Sequence, residues 1–324
     1  VYNKYIGIIG GTGTIGSIIV KYLLQLQTHF HVLIGGRRSI KEISMSTFYN
    51  SERLKYNQMN YNNDVELDNF CSQCLLVINA VGPSFKINDK IALHALRNNC
   101  HYIDIGGYGI LRDLLKPYEK SIEAQKLCFI IGVGWMPGIS GVFSKTIIET
   151  HLNSPENTNF NIYYGAVDNW SYSSTYDLAA SSMGKTRSYV YSHGKEIQVS
   201  PFRYTHHKFF PFIGHKKICM PSFDEQLTQL ATSLKQIRKI STFIMLNDYI
   251  SMGKFMFIKI FYKHNLNKAT LMLQDDYQRL VKKENKWGSV ICQVSKIEPE
   301  RKIDTFYYCL LYTSPSPRDI SGSR

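Results

Sequence analysis

The chain has 324 residues, 44% of them hydrophobic and 19% charged, with a formal net charge of +13. This length allows two domains, and the composition is that of a globular protein and excludes a largely disordered one. No apolar run is as long as the roughly 18 residues that cross a membrane. No signal peptide is recognisable, so we expect a cytoplasmic protein without a membrane partner.

The first part of the chain alternates between strand and helix patterns, which predicts a doubly wound parallel sheet of the Rossmann type. Short apolar runs predict strands at 4–9, 31–34, 56–61, 75–81, 101–105 and 127–133. Apolar residues at helical spacing predict helices at 17–27, 64–74, 88–98 and 114–125.

The pattern changes near residue 153, where strand-like stretches follow one another with few crossovers. This predicts an α+β domain with a mostly antiparallel sheet, and hence a first domain at 1–152 and a second at 153–308. The predicted strands are 160–166, 188–191, 195–199, 254–262, 269–273, 289–294 and 303–308, with helices at 174–183 and 223–235.

Residues 309–324 are rich in Pro and Ser and have no periodicity. They resemble the translation of a sequencing-library adapter. We therefore expect a tail of non-native origin that follows a truncation near Tyr308, and we leave it out of the fold prediction.

The basic residues that produce the net charge are scattered along the chain. They form no stripe interleaved with aromatic residues, so we expect no nucleic-acid partner. Cys71 and Cys74 form a CxxC pair without a second pair at zinc-ligand spacing. This favours buried thiols on a helix before a strand, and we predict no metal site.

A glycine motif lies where the first predicted strand turns into the first helix. It fits G-x-G-x-x-G and comprises Gly11, Thr12, Gly13, Thr14, Ile15 and Gly16. In this setting the first glycine permits a tight turn, the second admits a pyrophosphate and the third lets helix and strand pack closely. The N-terminus of the helix adds unpaired N–H groups and a positive dipole end. The motif predicts a dinucleotide site.

The end of the second strand predicts which dinucleotide is bound. An NAD site usually has an acidic residue there, about 20 residues beyond the glycines, to bind the ribose hydroxyls. This strand instead ends in Arg37 and Arg38, whose guanidinium groups suit a 2′-phosphate, so we predict NADP. Asp64, after the third strand, is placed near the adenine, although a helix N-cap role explains it equally well.

The carboxyl ends of the fourth and fifth strands should line the same crevice. Asn79, Ala80, Val81, Gly82 and Pro83 are predicted to lie on the nicotinamide side. Asp104 and Tyr108 follow the fifth strand. For Asp104, hydrogen bonding to loop amides is at least as plausible as a role in chemistry.

Together these segments resemble the saccharopine dehydrogenase-like family. The resemblance rests on GGTGTIG at 10–16, VINAVGP at 77–83, HYIDIGG at 101–107, GVGWMPGIS at 132–140 and a more diffuse similarity beyond them. It implies a Rossmann domain followed by an α/β domain that contacts substrate and can form a homodimer. It also implies hydride transfer between NADP and an imine or C–N bond of an amino-acid-derived substrate.

The resemblance suggests site residues without fixing their roles. Tyr108 and His101 are candidate proton donors, each of which could equally be structural. The family usually has Gly-x-Asp-Pro-Gly where this chain has Met136, so a carboxylate that would hold a substrate ammonium group is missing. The candidate substrate contacts are Trp135, Met136, Tyr176 and Arg187.

Two other functions remain open. Atypical short-chain NADP reductases share the glycine motif and often use a Tyr-x-x-x-Lys pair on one helix. Here Tyr191 and Lys195 span a turn signal, and Tyr204 and Lys208 lie in a strand-like run, so we interpret both spacings as coincidental. A non-catalytic NADP-binding regulator would share the same Rossmann fold.

Overall fold

A computed structural model describes residues 4–26, 29–39, 51–152, 155–184, 188–211, 213–296 and 303–311. The chain divides into two units, Val1–Gly134 and Trp135–Arg324. None of the helices in the described ranges is long and apolar enough to cross a membrane.

The first unit contains a six-stranded sheet in the order β3-β2-β1-β4-β5-β6, and every pairing is parallel. The strands are β1 (Tyr5–Ile9), β2 (Val32–Gly36), β3 (Leu54–Gln58), β4 (Cys74–Asn79), β5 (His101–Asp104) and β6 (Phe129–Ile130). The helices are α1 (Thr14–Gln25), α2 (Asp64–Ser72), α3 (Ser84–Ile87), α4 (Lys90–Arg97), α5 (Tyr108–Leu115) and α6 (Glu119–Ala124). The predicted doubly wound parallel fold is confirmed.

Helices cover both faces of this sheet, because its strands are apolar on both sides. On one face Val20 of α1 packs with Ile8, Ile34 and Ile78. On the other face α2, α4 and α5 pack on a separate core that includes Phe70. The strand order reverses between β1 and β4, so the crevice at a switch point lies beyond their carboxyl ends.

The second unit contains an eight-stranded sheet in the order β10-β11-β12-β7-β13-β14, with β8 pairing to both β12 and β9. All its pairings are antiparallel except that of β12 with β7, as expected for a mostly antiparallel sheet. The strands are β7 (Thr158–Val167), β8 (Ser188–Ser192), β9 (Lys195–Val199), β10 (His206–Phe209), β11 (Lys216–Pro221), β12 (Lys239–Leu246), β13 (Trp287–Lys296) and β14 (Ile303–Leu311). The helices are α7 (Ile139–His151), α8 (Tyr172–Gly184), α9 (Pro201–Tyr204), α10 (Glu225–Ser233), α11 (Tyr249–Phe261) and α12 (Leu266–Val281).

The boundary between the units lies at Gly134, whereas the sequence places it at residue 152. The difference is helix α7. This helix contacts α10 and β13, and its Ile147 and Ile148 are buried in the core of the second unit. Its side chains therefore belong to the fold of the second unit.

Two predicted strands of the second unit are wrong. Residues 254–262 lie mostly in α11, and residues 269–273 lie in α12. Asp248 caps α11 by accepting a hydrogen bond from the Ser251 N–H, and Asn265 caps α12 by accepting one from the Lys268 N–H. Apolar, aromatic-rich runs do not distinguish strand from helix, and these caps are the signal that does.

The last described strand includes residues 309–311, which the sequence analysis assigns to the non-native tail. Strand β14 ends at Leu311, and its Cys309, Leu310 and Leu311 pair with β13. The rest of the predicted tail, 312–324, lies outside the described residues.

Candidate functional site

The glycine loop joins β1 to α1 at the carboxyl edge of the parallel sheet. Gly10 has φ +83°, and a Cβ there would lie 2.9 Å from the Ala80 carbonyl oxygen. A Cβ on Gly16 would lie 2.2 Å from the Gly10 carbonyl oxygen. The left-handed turn therefore falls at Gly10, one residue before the motif's first glycine. Gly16 makes the close approach expected of the third.

The first turn of α1 is open at its N-terminus. Gly13 occupies the N-cap position and makes no side-chain capping hydrogen bond, and the first turn contains no acidic residue. Gly13, Thr14 and Ile15 are exposed. A helix start without a cap leaves N–H donors to water or to a ligand, and the helix dipole favours an anion there.

The arginine segment follows β2 and is tied to the glycine loop. Arg37 and Arg38 are exposed, and Arg38 Nη2 donates a hydrogen bond of 3.0 Å to the Thr12 carbonyl. The Tyr56 hydroxyl lies 2.5 Å from the Arg38 carbonyl oxygen, and Gln58 Nε2 donates to the Arg37 carbonyl at 3.3 Å. These contacts hold the backbone of both arginines after β2 and join the Arg38 guanidinium to the glycine loop.

A buried hydrogen-bond network joins the ends of β4 and β5. The Asp104 carboxylate accepts hydrogen bonds from Asn79 Nδ2 at 2.8 Å, from the Tyr102 hydroxyl at 2.6 Å and from the Gly106 N–H at 2.8 Å. Asn79 Oδ1 accepts from the Val81 N–H at 3.0 Å. Burial and the neighbouring Asp104 raise the pKa of Tyr102 well above its usual value.

This network shows what Asp104 does in the fold. Asn79, Val81 and Asp104 lie in the segments that were predicted to line the crevice, and Asp104 and Asn79 are almost fully buried. The carboxylate bonds a loop amide, as one of the two sequence interpretations expects. It thereby orients the Asn79 amide, which in turn holds the Val81 N–H just beyond the end of β4.

Asp64 does not occupy the N-cap position of α2. Asn63 is the N-cap of α2, accepting from the Val65 and Glu66 N–H groups, and Asp64 is the first helical residue. The Asp64 carboxylate is exposed and pairs with Lys90 Nζ at 2.6 Å. The predicted N-cap role for Asp64 is therefore wrong by one residue.

The two candidate proton donors lie at opposite ends of β5. His101 begins the strand, and its Nδ1 accepts a hydrogen bond from the Cys128 N–H at 3.0 Å. Tyr108 begins α5 directly after Gly107, on the edge that holds Asp104. The side chain of Tyr108 lies outside the described residues. The structure thus brings the backbone of Tyr108, and not His101, to the edge of the glycine loop.

The candidate substrate residues belong to the second unit. Trp135 and Met136 pack against its core, and the Trp135 ring lies next to Gly288 of β13. Tyr176 is buried in α8 beside Tyr172. Arg187 lies outside the described residues.

Neither Tyr-x-x-x-Lys spacing lies on one helix. Tyr191 and Lys195 are on β8 and β9, the two strands of a hairpin. Tyr204 ends α9 and Lys208 lies in β10. The structure therefore gives no support to a helical Tyr–Lys pair at either position.

Three cysteines of the first unit, Cys71, Cys74 and Cys100, form a buried group. Cys71 lies in α2 as predicted, whereas Cys74, predicted to end the same helix, begins β4. The Cys100 thiol donates to the carbonyl oxygens of both. Burial raises the pKa of Cys74 to about 12 and that of Cys100 to about 11. In the part of the chain that the structure describes, no three metal-binding side chains converge. These thiols are core residues.

Sequence reasoning missed the side chains that support the site. Tyr56 and Gln58 act on the arginine segment because β3 pairs with β2 in the register Ile34↔Tyr56 and Gly36↔Gln58. Tyr102 was also missed, although it lies two residues before Asp104 and so faces the same side of β5. Strand alternation was the available signal for Tyr102, whereas the register of β3 has no local signal.

Comparison with known proteins relates the first unit to a known NADP-binding domain. Residues 6–128 match the saccharopine dehydrogenase NADP binding domain. Apo saccharopine dehydrogenase (L-Glu forming) from Saccharomyces cerevisiae has the same fold over 95% of this chain and 85% of its own, with a TM-score of 0.61 and 14% identity. The chain therefore contains an NADP-binding domain of the saccharopine dehydrogenase type at residues 6–128, and it shares the fold of that solved enzyme. It is an NAD(P)-dependent oxidoreductase whose cofactor is NADP.

More distant likenesses accompany this one. A short-chain dehydrogenase/reductase from Veillonella parvula in complex with NADP is similar over 40% of this chain and 67% of its own, with 19% identity and a TM-score of 0.30. GenD2 from gentamicin A biosynthesis, in complex with NAD, is similar over 95% of this chain and 73% of its own, with 6% identity and a TM-score of 0.44. A search of curated proteins finds no match to this sequence.

Proposed function

We propose that this enzyme transfers a hydride between NADP and the imine or C–N bond of an amino-acid-derived substrate. NADP binding is supported by the geometry of the glycine loop, where a Cβ on Gly16 would lie 2.2 Å from the Gly10 carbonyl oxygen. The substrate assignment rests on the matched NADP-binding domain and on the solved relative, whose name is saccharopine dehydrogenase (L-Glu forming).

The residues at the carboxyl edge of the sheet fit a dinucleotide. The uncapped start of α1 offers N–H donors to a pyrophosphate, and three of the four residues between β1 and α1 are glycines. We assign the pyrophosphate to Gly11, Thr12, Gly13, Thr14, Ile15 and Gly16.

The remaining cofactor contacts are assigned to residues at the same carboxyl edge of the parallel sheet. Arg37 and Arg38 are assigned to the 2′-phosphate, because a guanidinium binds a phosphate through two charge-assisted hydrogen bonds. Asp64, exposed after β3, is assigned to the adenine side. The nicotinamide side is assigned to Asn79, Ala80, Val81, Gly82 and Pro83, where the Asp104 network orients the Asn79 amide and the Val81 N–H.

The chemistry needs few protein groups. Bound NADPH supplies the hydride, and with one proton an imine becomes an amine. We propose Tyr108 as the proton donor, in preference to His101, because Tyr108 follows the Asp104 edge of β5 and His101 begins the other end. Trp135, Met136, Tyr176 and Arg187 are proposed to contact the substrate. The homodimer and the cytoplasmic location remain predictions.

The cofactor preference provides the direct test. The double variant Arg37→Ala/Arg38→Ala should lose at least tenfold in NADPH affinity, since it removes charge-assisted bonds worth about 1.5–3 kcal/mol each, and should bind NADH as before. Fluorescence titration with each nucleotide measures both affinities. Arg203→Ala, which removes an exposed arginine of the second unit, is the matched control. Equal NADPH and NADH affinities in the parent enzyme would sink the assignment.

The reaction is tested by NADPH oxidation with a panel of 2-keto acid and amine pairs. Turnover that requires both partners supports imine reduction, and Tyr108→Phe should then lower kcat more than His101→Gln does. Oxidation with a keto acid alone would mean carbonyl reduction instead. No oxidation with any pair, together with tight NADPH binding, would favour a non-catalytic NADP-binding regulator.

A further inference from the structure

Helix α11 of the second unit is apolar on two opposite faces. Its inner face packs on α12, and Phe255 and Ile258 share one buried cluster with Ala269 and Leu273. Its outer face carries large apolar side chains that are exposed to solvent. A helix that is apolar all round is normally buried on all sides. The outer face of α11 therefore has the composition of a contact surface.

The exposed side chains of this face form one patch, which we call the outer patch. It consists of Tyr249, Ile250, Phe257, Ile260 and Phe261. With 3.6 residues per turn, these residues fall within an arc of about 120° around the helix axis. Their exposed fractions run from 40% to 66%, so together they present roughly 500 Å² of surface.

The size of the outer patch fits one side of a stable protein interface. The largest apolar patch on a typical monomer covers roughly 300–600 Å² and is often functional. One partner of a standard interface contributes about 800 Å², and about 65% of a homodimer interface is apolar. One copy should therefore supply about 500 Å² of apolar surface, which the outer patch provides by itself.

A groove of about 270 Å³ opens beside the outer patch, between α11 and α12. It is lined by Gly253, Lys254, Phe257 and Met272. Ile260 and Phe261 project from the same face about two turns further along α11. A surface that carries both a groove and side chains able to fill one is complementary to a second copy of itself. Such a self-complementary surface gives a closed twofold contact.

The charges next to the groove favour a protein partner over a lipid surface. Lys254 Nζ lies 2.8 Å from Asp275 Oδ2 and 3.3 Å from Asp276 Oδ1. The Asp275 side chain is largely exposed, so a carboxylate as well as an ammonium group borders the groove. Helices that lie on anionic membranes usually carry a basic polar face instead. A polar rim around an apolar centre is typical of a protein interface.

We propose that the outer patch of α11 is the contact surface between two copies of this chain. Two antiparallel α11 helices, related by a twofold axis near Phe257, place Ile260 and Phe261 of each copy over the groove of the other. The positive end of each helix dipole then lies beside the negative end of the other, which is favourable. This inference assigns a surface to the predicted homodimer. It goes beyond the proposed function and does not depend on the hydride-transfer reaction.

Sedimentation velocity of the full chain over a range of concentrations tests this contact. We expect a species of twice the chain mass that dissociates on dilution. Ile260→Glu should raise the dissociation constant at least tenfold, because it buries a carboxylate in each half of an apolar contact. Val142→Glu is the matched control, since Val142 lies on α7 and both side chains are 66% exposed. It should leave the constant unchanged, and far-UV circular dichroism should show that both variants fold.

Radical footprinting with mass spectrometry gives a second readout. Oxidation of Phe257 and Phe261 should fall in the dimer, and oxidation of Phe202, which is exposed in α9, should not change. A parent chain that is monomeric at about 100 μM would overturn the proposal, because an interface of this size should form there. A dimer that survives Ile260→Glu, or that Val142→Glu disrupts equally, would also overturn it. Binding of a monomer to vesicles of phosphatidylcholine and phosphatidylserine would do the same, since the outer patch would then be a membrane contact.

Discussion

The shape of the glycine loop depends most directly on Gly16. Its α-carbon lies so close to the Gly10 carbonyl that any side chain would overlap the backbone of Gly10. A flexible side chain could move away, but this backbone cannot. The separation between β1 and α1 would have to increase. At this position, a methyl group is enough to change the loop.

A substitution at Gly16 tests this contact. Gly16→Ala should reduce NADPH affinity at least tenfold and lower the melting temperature, because α1 must shift away from β1. The matched control is Gly253→Ala, in helix α11, where a Cβ would meet no atom within 4 Å. This control should bind NADPH as the parent does and gain up to about 1 kcal/mol of stability, since Ala favours helix over Gly. Fluorescence titration and thermal unfolding measure both effects, and unchanged NADPH affinity in Gly16→Ala would contradict the loop assignment.

Single residues of the site were predictable to different degrees. Gly11, Gly13, Gly16 and the arginine pair are adjacent in sequence to their strands, so a linear motif reveals them. Tyr56 and Gln58 act through the pairing of β2 with β3, which joins segments about 20 residues apart. The N-cap prediction for Asp64 was wrong by one residue, because Asn and Asp are equally favoured at the N-cap position and Asn63 precedes Asp64.

At the scale of elements, α11 and α12 form a helix pair joined by ion pairs of Arg279 and of Lys254. Arg279 of α12 donates from Nη1 to Asp248 Oδ2 at 2.6 Å and from Nη2 to Asp248 Oδ1 at 2.9 Å. Asp248 is also the N-cap of α11. Burial opposes the charge on Asp248, but hydrogen bonds from Arg279 and Ser251 outweigh it and hold the pKa of the carboxyl well below its usual value.

A pH-dependent stability difference is therefore expected. A carboxyl whose folded pKa is lowered stabilises the protein above its unfolded pKa of about 3.9, and loses that contribution as pH falls towards the folded value. Asp248→Asn keeps a capping oxygen and removes the charge. It should cost about 1–2 kcal/mol at pH 7, and the difference should shrink below about pH 4.

The measurement is denaturant unfolding of parent and variant between pH 3 and pH 7. Asp275→Asn is the control, because Asp275 pairs with Lys254 at 2.8 Å but is largely exposed, and such pairs contribute little. A difference for Asp248→Asn that stays constant from pH 7 to pH 3 would argue against the charged contact.

The same two helices show where element prediction failed. Residues 249–261 include Ile, Phe and Met on several sides, so no single apolar face indicates a helix. In α12 the buried residues Ala269, Leu273, Asp276 and Leu280 do follow helical spacing. The five residues 269–273 contain too few buried positions to reveal the helical period of 3.6 residues. Strands β11 and β12 were missed, and β10 was noted only as a strand-like run. In β11 two lysines interrupt the apolar pattern, although Lys217 is buried in the folded protein.

At the scale of the whole molecule, the chain contains two units with different kinds of sheet, one parallel and one mostly antiparallel. The three segments proposed to bind NADP lie far apart in sequence, at 10–16, 35–38 and 79–83, and all lie in the first unit. NADPH at a hundred times its Kd would stabilise the binding-competent state by about 2.7 kcal/mol.

Hydrogen exchange should locate that stabilisation. On addition of NADPH, amide exchange should slow in these three segments and remain unchanged in the β8–β9 hairpin of the second unit. Peptide-level mass spectrometry resolves the segments. Protection that omits 10–16, or that is restricted to the hairpin, would be incompatible with the proposed cofactor site.

The sequence by itself determined the Rossmann unit, the glycine loop and the preference for NADP, because these depend on adjacent residues and on short-range periodicity. Only the tertiary structure decided that α11 and α12 are helices, that Asp104 holds the Asn79 amide, and that Tyr56 supports the arginine segment. Each of these depends on contacts between residues distant in sequence, namely Asp248 with Arg279, β4 with β5, and β2 with β3. Local residue preferences do not encode such pairings, since their energy appears only once the partners meet.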